Sequence, residues 1–167
     1  MKESRNILRE RAVKNALVNS DQTAQYKTKY LLFRVVKQIY AIEQKWIKEV
    51  VKASSFTDIP GVPHFVKGAV NVRGNIYSTV NISSFLAQKD FGLSELNKLI
   101  LISNGDIEYA LIADEVMGFT ESLISLKSQI PDNYSELYKE FVEGICPNGA
   151  LILNGVALTE SKLIIIE

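Results

Sequence analysis

Few residues of this sequence are of a type that carries out catalysis. The chain has one histidine and one cysteine. His64 lies between Pro63 and Phe65 in a loop-forming stretch, and a general base there needs a carboxylate or serine partner that the sequence does not identify. Local packing or hydrogen bonding is therefore its expected role. Cys146 has no neighbouring basic residue to favour its thiolate, which predicts an inert thiol.

The acidic and glycine-rich motifs also give no catalytic signal. Asp114 and Glu115 are adjacent, so on a strand they point to opposite faces, and we expect a turn and a solvated edge there. One histidine cannot form a zinc site unless several carboxylates converge on it. The glycines of GAVNVRGN, residues 68–75, lack the spacing and the following lysine of a phosphate-binding loop. We therefore predict no catalytic residue, no bound metal and no cofactor.

The remaining residue of interest is Arg73, within the stretch IPGVPHFVKGAVNVRGNIYSTVNISSFL (Ile59–Leu86). It follows an alternating strand and lies in a turn with Asn71 and Gly74. An arginine there has two possible roles. Its planar guanidinium either caps the turn by donating hydrogen bonds to backbone carbonyls, or contacts a partner. The sequence alone leaves both roles open.

Composition predicts an ordinary globular domain. The 167 residues are 47% hydrophobic and carry 19 basic and 19 acidic side chains, so no net field attracts nucleic acid. One cysteine excludes an internal disulfide. The apolar runs, such as LIII at Leu163–Ile166, are far shorter than the roughly 20 residues of a membrane span. We expect a cytoplasmic protein with no nucleic-acid partner and no membrane insertion.

The first 25 residues differ in composition from the rest. They hold five basic residues against three acidic ones. Their apolar residues are small or scattered, although Leu8, Ala12 and Ala16 recur at helical spacing. We predict a flexible basic arm or short helix over residues 1–25, followed by one domain over residues 26–167.

From Tyr30 onward the sequence is typical of an all-β protein. Eight short runs are rich in β-branched and aromatic residues and are separated by turn-forming pairs. The runs cover residues 30–36, 39–43, 46–54, 65–72, 75–82, 99–103, 107–113 and 150–153. Short helices are expected only around Ser83–Gln88, Asn133–Phe141 and Gly155–Lys162. Many short strands joined by tight turns predict a barrel or sandwich.

An internal repeat divides this all-β region. Three motifs recur in the same order: YAI at 40–42, EV at 49–50 and FVKG at 65–68, then YAL at 109–111, EV at 115–116 and FVEG at 141–144. Each series is followed by a hairpin. Units of about 60 residues are small for independent stability, so the repeat predicts two similar β subdomains packed together with a groove between them.

These motifs together resemble the CheW-like domain, the coupling module of bacterial and archaeal chemosensory arrays. The resemblance runs from about Tyr30 to Leu158 and is most specific in the P-x-F-V-K-G-x-x-N-x-R-G run that ends at Gly74, with the E-V pair 24 residues ahead of Arg73. It implies two intertwined five-stranded β-barrels that share a hydrophobic core. We assign one subdomain to residues 26–88 plus the C-terminal segment and the other to 98–158.

The resemblance also implies a non-enzymatic adaptor. Family members join a CheA-type histidine kinase and a chemoreceptor's cytoplasmic tip, in arrays associated with the membrane-bound receptors. Carried over by position, Ile47, Glu49 and Val50 fall on the edge used against the kinase. The receptor-contacting turn is Asn71, Arg73 and Gly74. The protein alone is expected to be a monomer; the alternative function is a stand-alone β-barrel module that recruits another regulator through its basic N-terminal arm.

The sequence departs from the family pattern at three places. Asn81 and Asn154 stand where the family often has aspartate, although an asparagine can still cap a following helix. The end, KLIIIE, is apolar where a longer closing helix is expected. We expect it either to pair as a strand with the N-terminal arm or to cover the groove.

Overall fold

The computed structural model describes residues 28–87, 89, 92–93, 97–121 and 128–165. The predicted arm over residues 1–25 lies outside the described residues. Ten strands and three short helices follow one another in the described chain. The strands are β1 (Lys29–Val35), β2 (Gln38–Glu43), β3 (Ile47–Lys52), β4 (Val66–Val72), β5 (Asn75–Val80), β6 (Lys98–Ser103), β7 (Glu108–Ala113), β8 (Glu115–Glu121), β9 (Val142–Ile145) and β10 (Leu151–Leu153). The helices are α1 (Ile82–Ala87), α2 (Glu136–Phe141) and α3 (Gly155–Glu160), and a 3₁₀ turn at Gln44–Trp46 precedes β3.

The strands form two five-stranded sheets, which confirms the all-β prediction. Sheet A has the order β8-β1-β2-β10-β9, and sheet B has the order β3-β6-β7-β5-β4. The β10–β2 and β5–β7 pairs are parallel and the other strand pairs are antiparallel. If each of β1 to β5 is exchanged with its counterpart among β6 to β10, the strand order of sheet A becomes the strand order of sheet B. The predicted internal repeat is therefore present in three dimensions.

The two halves of the chain exchange hairpins. Sheet A combines β1 and β2 of the first half with β8, β9 and β10 of the second, and sheet B combines β6 and β7 with β3, β4 and β5. The division of the chain near residues 88–98 therefore does not coincide with the division into sheets. Each sheet needs strands from both halves, so the subdomains are intertwined.

The main core lies between the sheets and is built from inward-facing side chains of both. In β1 and β2, Phe33 and Tyr40 stack with ring centroids 5.6 Å apart, and Phe33 is fully buried. A second aromatic row passes from Phe65 through Phe85 to Phe141, with successive centroids 4.9 and 4.7 Å apart in edge-to-face contact. This row joins the entry to β4, α1 and α2, so burial of apolar surface fixes the sheets against one another.

Each sheet also encloses a smaller apolar cluster. In addition, a connecting segment of the chain pairs with one edge strand of each sheet. In sheet B the segment after β3 returns to β4, where Thr57 and Ala69 exchange backbone hydrogen bonds of 2.8 Å. In sheet A the segment before α2 meets β9 in the same way, through Ser128 and Ile145. Each of these matching bridges adds a connecting segment to one edge strand, β4 in sheet B and β9 in sheet A.

Asparagine residues cap the two helices that follow the repeated hairpins. The Asn81 side chain accepts from the Ser84 amide at 3.0 Å at the start of α1. Asn154 accepts from the amides of Val156 and Ala157 at the start of α3. The expectation that neutral amides serve here as helix caps is confirmed.

The predicted strand runs all fall on strands, but β8 and β9 were missed. β8 alternates exposed and half-buried residues, and its exposed positions include Met117 and Phe119. An apolar residue on the exposed face hides the alternation on which strand prediction depends. β9 has only four residues, of which Gly144 is one. A strand so short and interrupted by glycine gives little signal.

The C-terminal segment does not form a strand in its described part. Ile164 is 2% exposed and belongs to the main core, while Leu163 is 55% exposed. Among the helices of the described chain, the longest have six residues, and none is long and apolar enough to cross a membrane.

Gly68 supports a direct test of how sheet B is completed. Its φ is +116°, and a Cβ there would fall on the carbonyl oxygen of Thr57. We expect Gly68→Ala to lower the free energy of unfolding by about 2 kcal/mol, because both backbone strain and a contact with rigid backbone oppose it. Denaturant unfolding checks this. Gly92→Ala is the matched control, since Gly92 has open space around it; equal stability of the two variants would contradict the expectation.

Candidate functional site

The structure brings together two residues that the sequence assigned to separate contacts. Arg73, in the turn between β4 and β5, places its Nη1 atom 2.8 Å from Oε2 of Glu49 in β3. The strands β3 and β4 are opposite edges of sheet B, so this ion pair joins the two edges. We call Glu49, Arg73 and their neighbours in β3 and in the turn the Arg73 surface.

The turn itself is a two-residue hairpin with both central residues in the left-handed region. Arg73 has φ +53° and Gly74 has φ +89°, as a type I′ turn requires. The Asn71 side chain accepts from the Gly74 amide at 2.8 Å and closes the turn. Asn71 therefore caps the turn, which is one of the two roles that the sequence left open for Arg73. The guanidinium of Arg73 instead reaches the Glu49 carboxylate.

Solvent exposure indicates how the ion pair contributes. The Arg73 side chain is 76% exposed and that of Glu49 is 26% exposed. Pairs this accessible contribute about 0–1 kcal/mol to stability. A left-handed turn position accepts glycine or asparagine more readily than arginine. Stability therefore gives little reason for an arginine at position 73, whose side chain is largely exposed although it is paired with Glu49.

The three residues of the edge strand β3 that were predicted to contact the kinase differ in solvent exposure. Its residues alternate between half-buried and exposed, with a register irregularity between Ile47 and Glu49. Val50 is 38% exposed, whereas Ile47 and Glu49 are half-buried. Of these residues, Val50 offers an exposed apolar side chain and Glu49 a partly covered carboxylate.

A second ion pair fixes β3 within its sheet. Lys48 Nζ donates to both carboxylate oxygens of Glu108 in β7, at 2.8 and 2.9 Å, and lies 5.8 Å from the Tyr77 ring centroid. The hydrogen bond from Lys48 lowers the pKa of Glu108, and the same bond raises the pKa of Lys48. Lys48 and Glu108 also line an open pocket of about 510 Å³ with Trp46 and Asn104. The pair therefore links β3 to β7 across the intervening strand β6.

Three exposed apolar residues on β5 and β8 escaped the sequence analysis. Ile76, the second residue of β5 after the turn, is 68% exposed. It pairs in register with Asn71 and adds an apolar side chain beside the polar turn. Alternation with buried Tyr77 gives the signal that could have found it. On β8, the repeat counterpart of β3, Met117 and Phe119 are 49% and 55% exposed.

The other candidate residues have structural roles. His64 Nε2 lies 3.2 Å from the Ser84 carbonyl oxygen, and its ring packs edge-on against Phe65. Cys146 is 4% exposed, and its amide donates to the Ala150 carbonyl. Within the described ranges, no group of three or more His, Cys, Asp or Glu side chains is placed to hold a metal ion.

The sequence matches a known protein family over most of its length. Residues 29–162 match the family model described as CheW-like domain. "Chemotaxis protein CheW" of Thermotoga maritima is 29% identical over 126 residues, covering 74% of this chain and 80% of the relative. The protein of the same name from Bacillus subtilis is 30% identical over 95 residues, covering 56% and 61%. "Protein PilI" of Pseudomonas aeruginosa is 26% identical over 114 residues, covering 68% and 64%.

A solved structure shows the same fold. The "scaffolding protein TtCheW" from Thermoanaerobacter tengcongensis superposes with a TM-score of 0.66 at 23% sequence identity, and the match covers 80% of this chain and 88% of that one. The family match includes both exchanged hairpins, the Arg73 surface and the helix α3. The chain belongs to the CheW-like domain family.

Proposed function

We propose that the protein is a non-enzymatic adaptor that couples chemoreceptors to a CheA-type histidine kinase. The observation that carries the proposal is the Arg73 surface, where an exposed arginine in a strained turn pairs with a carboxylate on an edge strand. Membership of the CheW-like family supports the same function. Assembly rather than bond-making is the proposed activity.

The proposed kinase contact is the β3 edge with Ile47, Glu49 and Val50. An edge strand has backbone groups free to pair with another chain, and Val50 adds exposed apolar surface. A standard interface buries about 800 Å² per partner, with a few residues contributing most of the binding free energy. The kinase's own CheW-like domain is the proposed partner, because it offers an equivalent edge.

The proposed receptor contact is the turn Asn71, Arg73 and Gly74. Its exposed guanidinium is suited to a carboxylate on the receptor's helical hairpin tip, and Ile76 provides apolar surface next to it. The groove between subdomains is the proposed apolar seat for that helix. Because Arg73 also pairs with Glu49, a partner that binds either residue changes the electrostatic environment of the other.

Assembly in the cell is proposed to depend on several weak contacts at once. A micromolar contact corresponds to about 8 kcal/mol, and simultaneous contacts in a lattice raise the overall affinity without any new contact type. The proposed state is a monomer when isolated and a member of a higher-order array in the cytoplasm beside membrane-bound receptors. Deleting residues 1–25 should leave coupling intact; if it abolishes partner recruitment, the arm-dependent module is the better description.

Substitutions on β3 test the kinase contact. We expect Glu49→Lys and Val50→Asp each to weaken binding to a CheA-type kinase fragment by about 1 to 3 kcal/mol, because each places the wrong chemistry at the centre of the interface. Isothermal titration calorimetry measures this. Glu136→Lys is the charge-matched control, since Glu136 lies on α2 and its side chain is 92% exposed. Equal affinities of all variants and wild type would exclude this edge.

Substitutions in the turn separate recognition from folding. Arg73→Ala should change the free energy of unfolding by less than about 1 kcal/mol, because the lost ion pair is exposed. It should nevertheless reduce binding of a receptor hairpin fragment. Asn71→Ala removes the bond that closes the turn and should cost about 1 kcal/mol of stability. If Arg73→Ala is the more destabilising of the two, the arginine holds the turn and the proposed receptor role is wrong.

A further inference from the structure

The edge strand β8 exposes apolar side chains at the end of sheet A. Met117 and Phe119 are 49% and 55% exposed. In the described part of the sheet, β1 is the strand that pairs with β8. Phe119 is in register with Leu31, which is 1% exposed and belongs to the main core. Residues directly opposite each other on neighbouring strands lie on the same face of a sheet, so Phe119 extends the apolar face of the core to the open edge.

A bulge interrupts the middle of this edge. Val116 pairs with Phe33 and Gly118 pairs with Leu32, so Met117 has no register partner on β1. A bulge bends the strand and disrupts the ladder locally. This geometry favours contact through the side chains of β8 rather than through the addition of a further strand.

Charge distinguishes β8 from β3, its counterpart in the repeat. β8 begins and ends with exposed acids, Glu115 and Glu121, and has no basic residue. The Glu115 side chain is 55% exposed although it pairs with Arg34. On β3 the exposed positions include Lys48 and Lys52 instead. A basic segment with aliphatic side chains is therefore complementary to β8 and not to β3.

The sequence before β1 contains such a segment. Residues 7–14, ILRERAVK, have three basic residues and one acidic residue. The aliphatic residues among them are Ile7, Leu8, Ala12 and Val13. The family match begins at residue 29, so these residues lie outside the part of the chain that the family model accounts for.

The connection to β1 brings this segment within reach of β8. Lys29, the first residue of β1, pairs with Glu121, the last residue of β8. From Glu121 back to Met117 the strand covers about 14 Å. Residues 15–28 link the segment to Lys29 and span roughly 50 Å when extended. The segment can therefore reach the whole of β8 from the point where the chain enters the sheet.

We propose that residues 7–14 bind the β8 edge of the same molecule. Their aliphatic side chains contact Met117 and Phe119, and their basic side chains lie beside Glu115 and Glu121. A tethered segment has an effective concentration on the order of 1 mM, which favours binding within one molecule over binding to a second copy. The contact covers an exposed edge strand and so protects it from association with other chains. It is separate from β3 and from the β4–β5 turn, so it is independent of the proposed kinase and receptor contacts.

A spin label on the full chain tests the contact by NMR. Asn6→Cys, made together with Cys146→Ala, places a single nitroxide next to residues 7–14. In the ¹⁵N spectrum we expect the label to broaden the amide resonances of β8 more strongly than those of β3. Equal broadening of the two strands, or no broadening of β8, would overturn the proposal.

A mixture of two samples identifies the molecule that supplies the segment. Spin-labelled chains without ¹⁵N are mixed with ¹⁵N-labelled chains that carry no nitroxide, at a protein concentration well below about 1 mM. We expect no broadening of β8 in the mixture. Broadening as strong as that within the spin-labelled ¹⁵N chain would show that the segment binds a second copy, which contradicts the proposal.

An apolar substitution tests the contact with β8. Phe119→Ala should reduce the broadening of β8 about threefold, because it removes apolar surface that the segment covers. Val156→Ala is the control, since Val156 is 48% exposed and lies on α3. Dispersed amide resonances verify that each variant is folded. Unchanged broadening in Phe119→Ala, or an equal loss in Val156→Ala, would contradict the proposed contact.

A charge reversal tests the basic residues of the segment. Arg9→Glu together with Arg11→Glu should also reduce the broadening of β8 about threefold, because both charges then repel the acids of β8. Lys2→Glu together with Arg5→Glu makes the same change in net charge outside residues 7–14 and should have the smaller effect. If both double variants reduce the broadening equally, or neither does, residues 7–14 are not the segment that binds β8.

Discussion

The exchange of hairpins between the two halves is the constraint on which the rest of the structure depends. Neither sheet is complete without strands from both halves, and the apolar faces of both sheets meet in one core. Removing that core from water is the dominant favourable contribution to folding. Because the two sheets are fixed in this way, short loops and edge strands can carry polar and strained groups that contribute little stability themselves.

The surface features follow from this arrangement. Glu49 and Arg73 meet because β3 and the β4–β5 turn lie at opposite edges of a sheet that curves back on itself. Asp114 and Val36 meet because the β7–β8 junction of one half packs beside the first hairpin of the other. Both pairs join residues distant in sequence. In both, a non-glycine residue occupies a left-handed turn position.

Periodicity and turn chemistry were sufficient to predict the all-β class, eight of the strands and the positions of the three helices. The repeat of YAI, EV and FVKG predicted duplication, but it could not predict the exchange of hairpins, because motif order is the same whether or not strands cross over. Asp114 lies in the turn between β7 and β8 and Glu115 is exposed on the edge strand β8, as expected, but their partners, Val36 and Arg34, could not be predicted because they are about 80 positions away. Contacts of that range leave no local pattern.

The strand order also determines when each sheet can form during synthesis. All five strands of sheet B lie between residues 47 and 113, so it can assemble as soon as β7 has left the ribosome. The first hairpin to emerge, β1 with β2, belongs to sheet A and must wait for β10. The earliest-made strands are therefore the last to be fully paired, and until then their apolar faces depend on the nascent sheet B or a chaperone for cover.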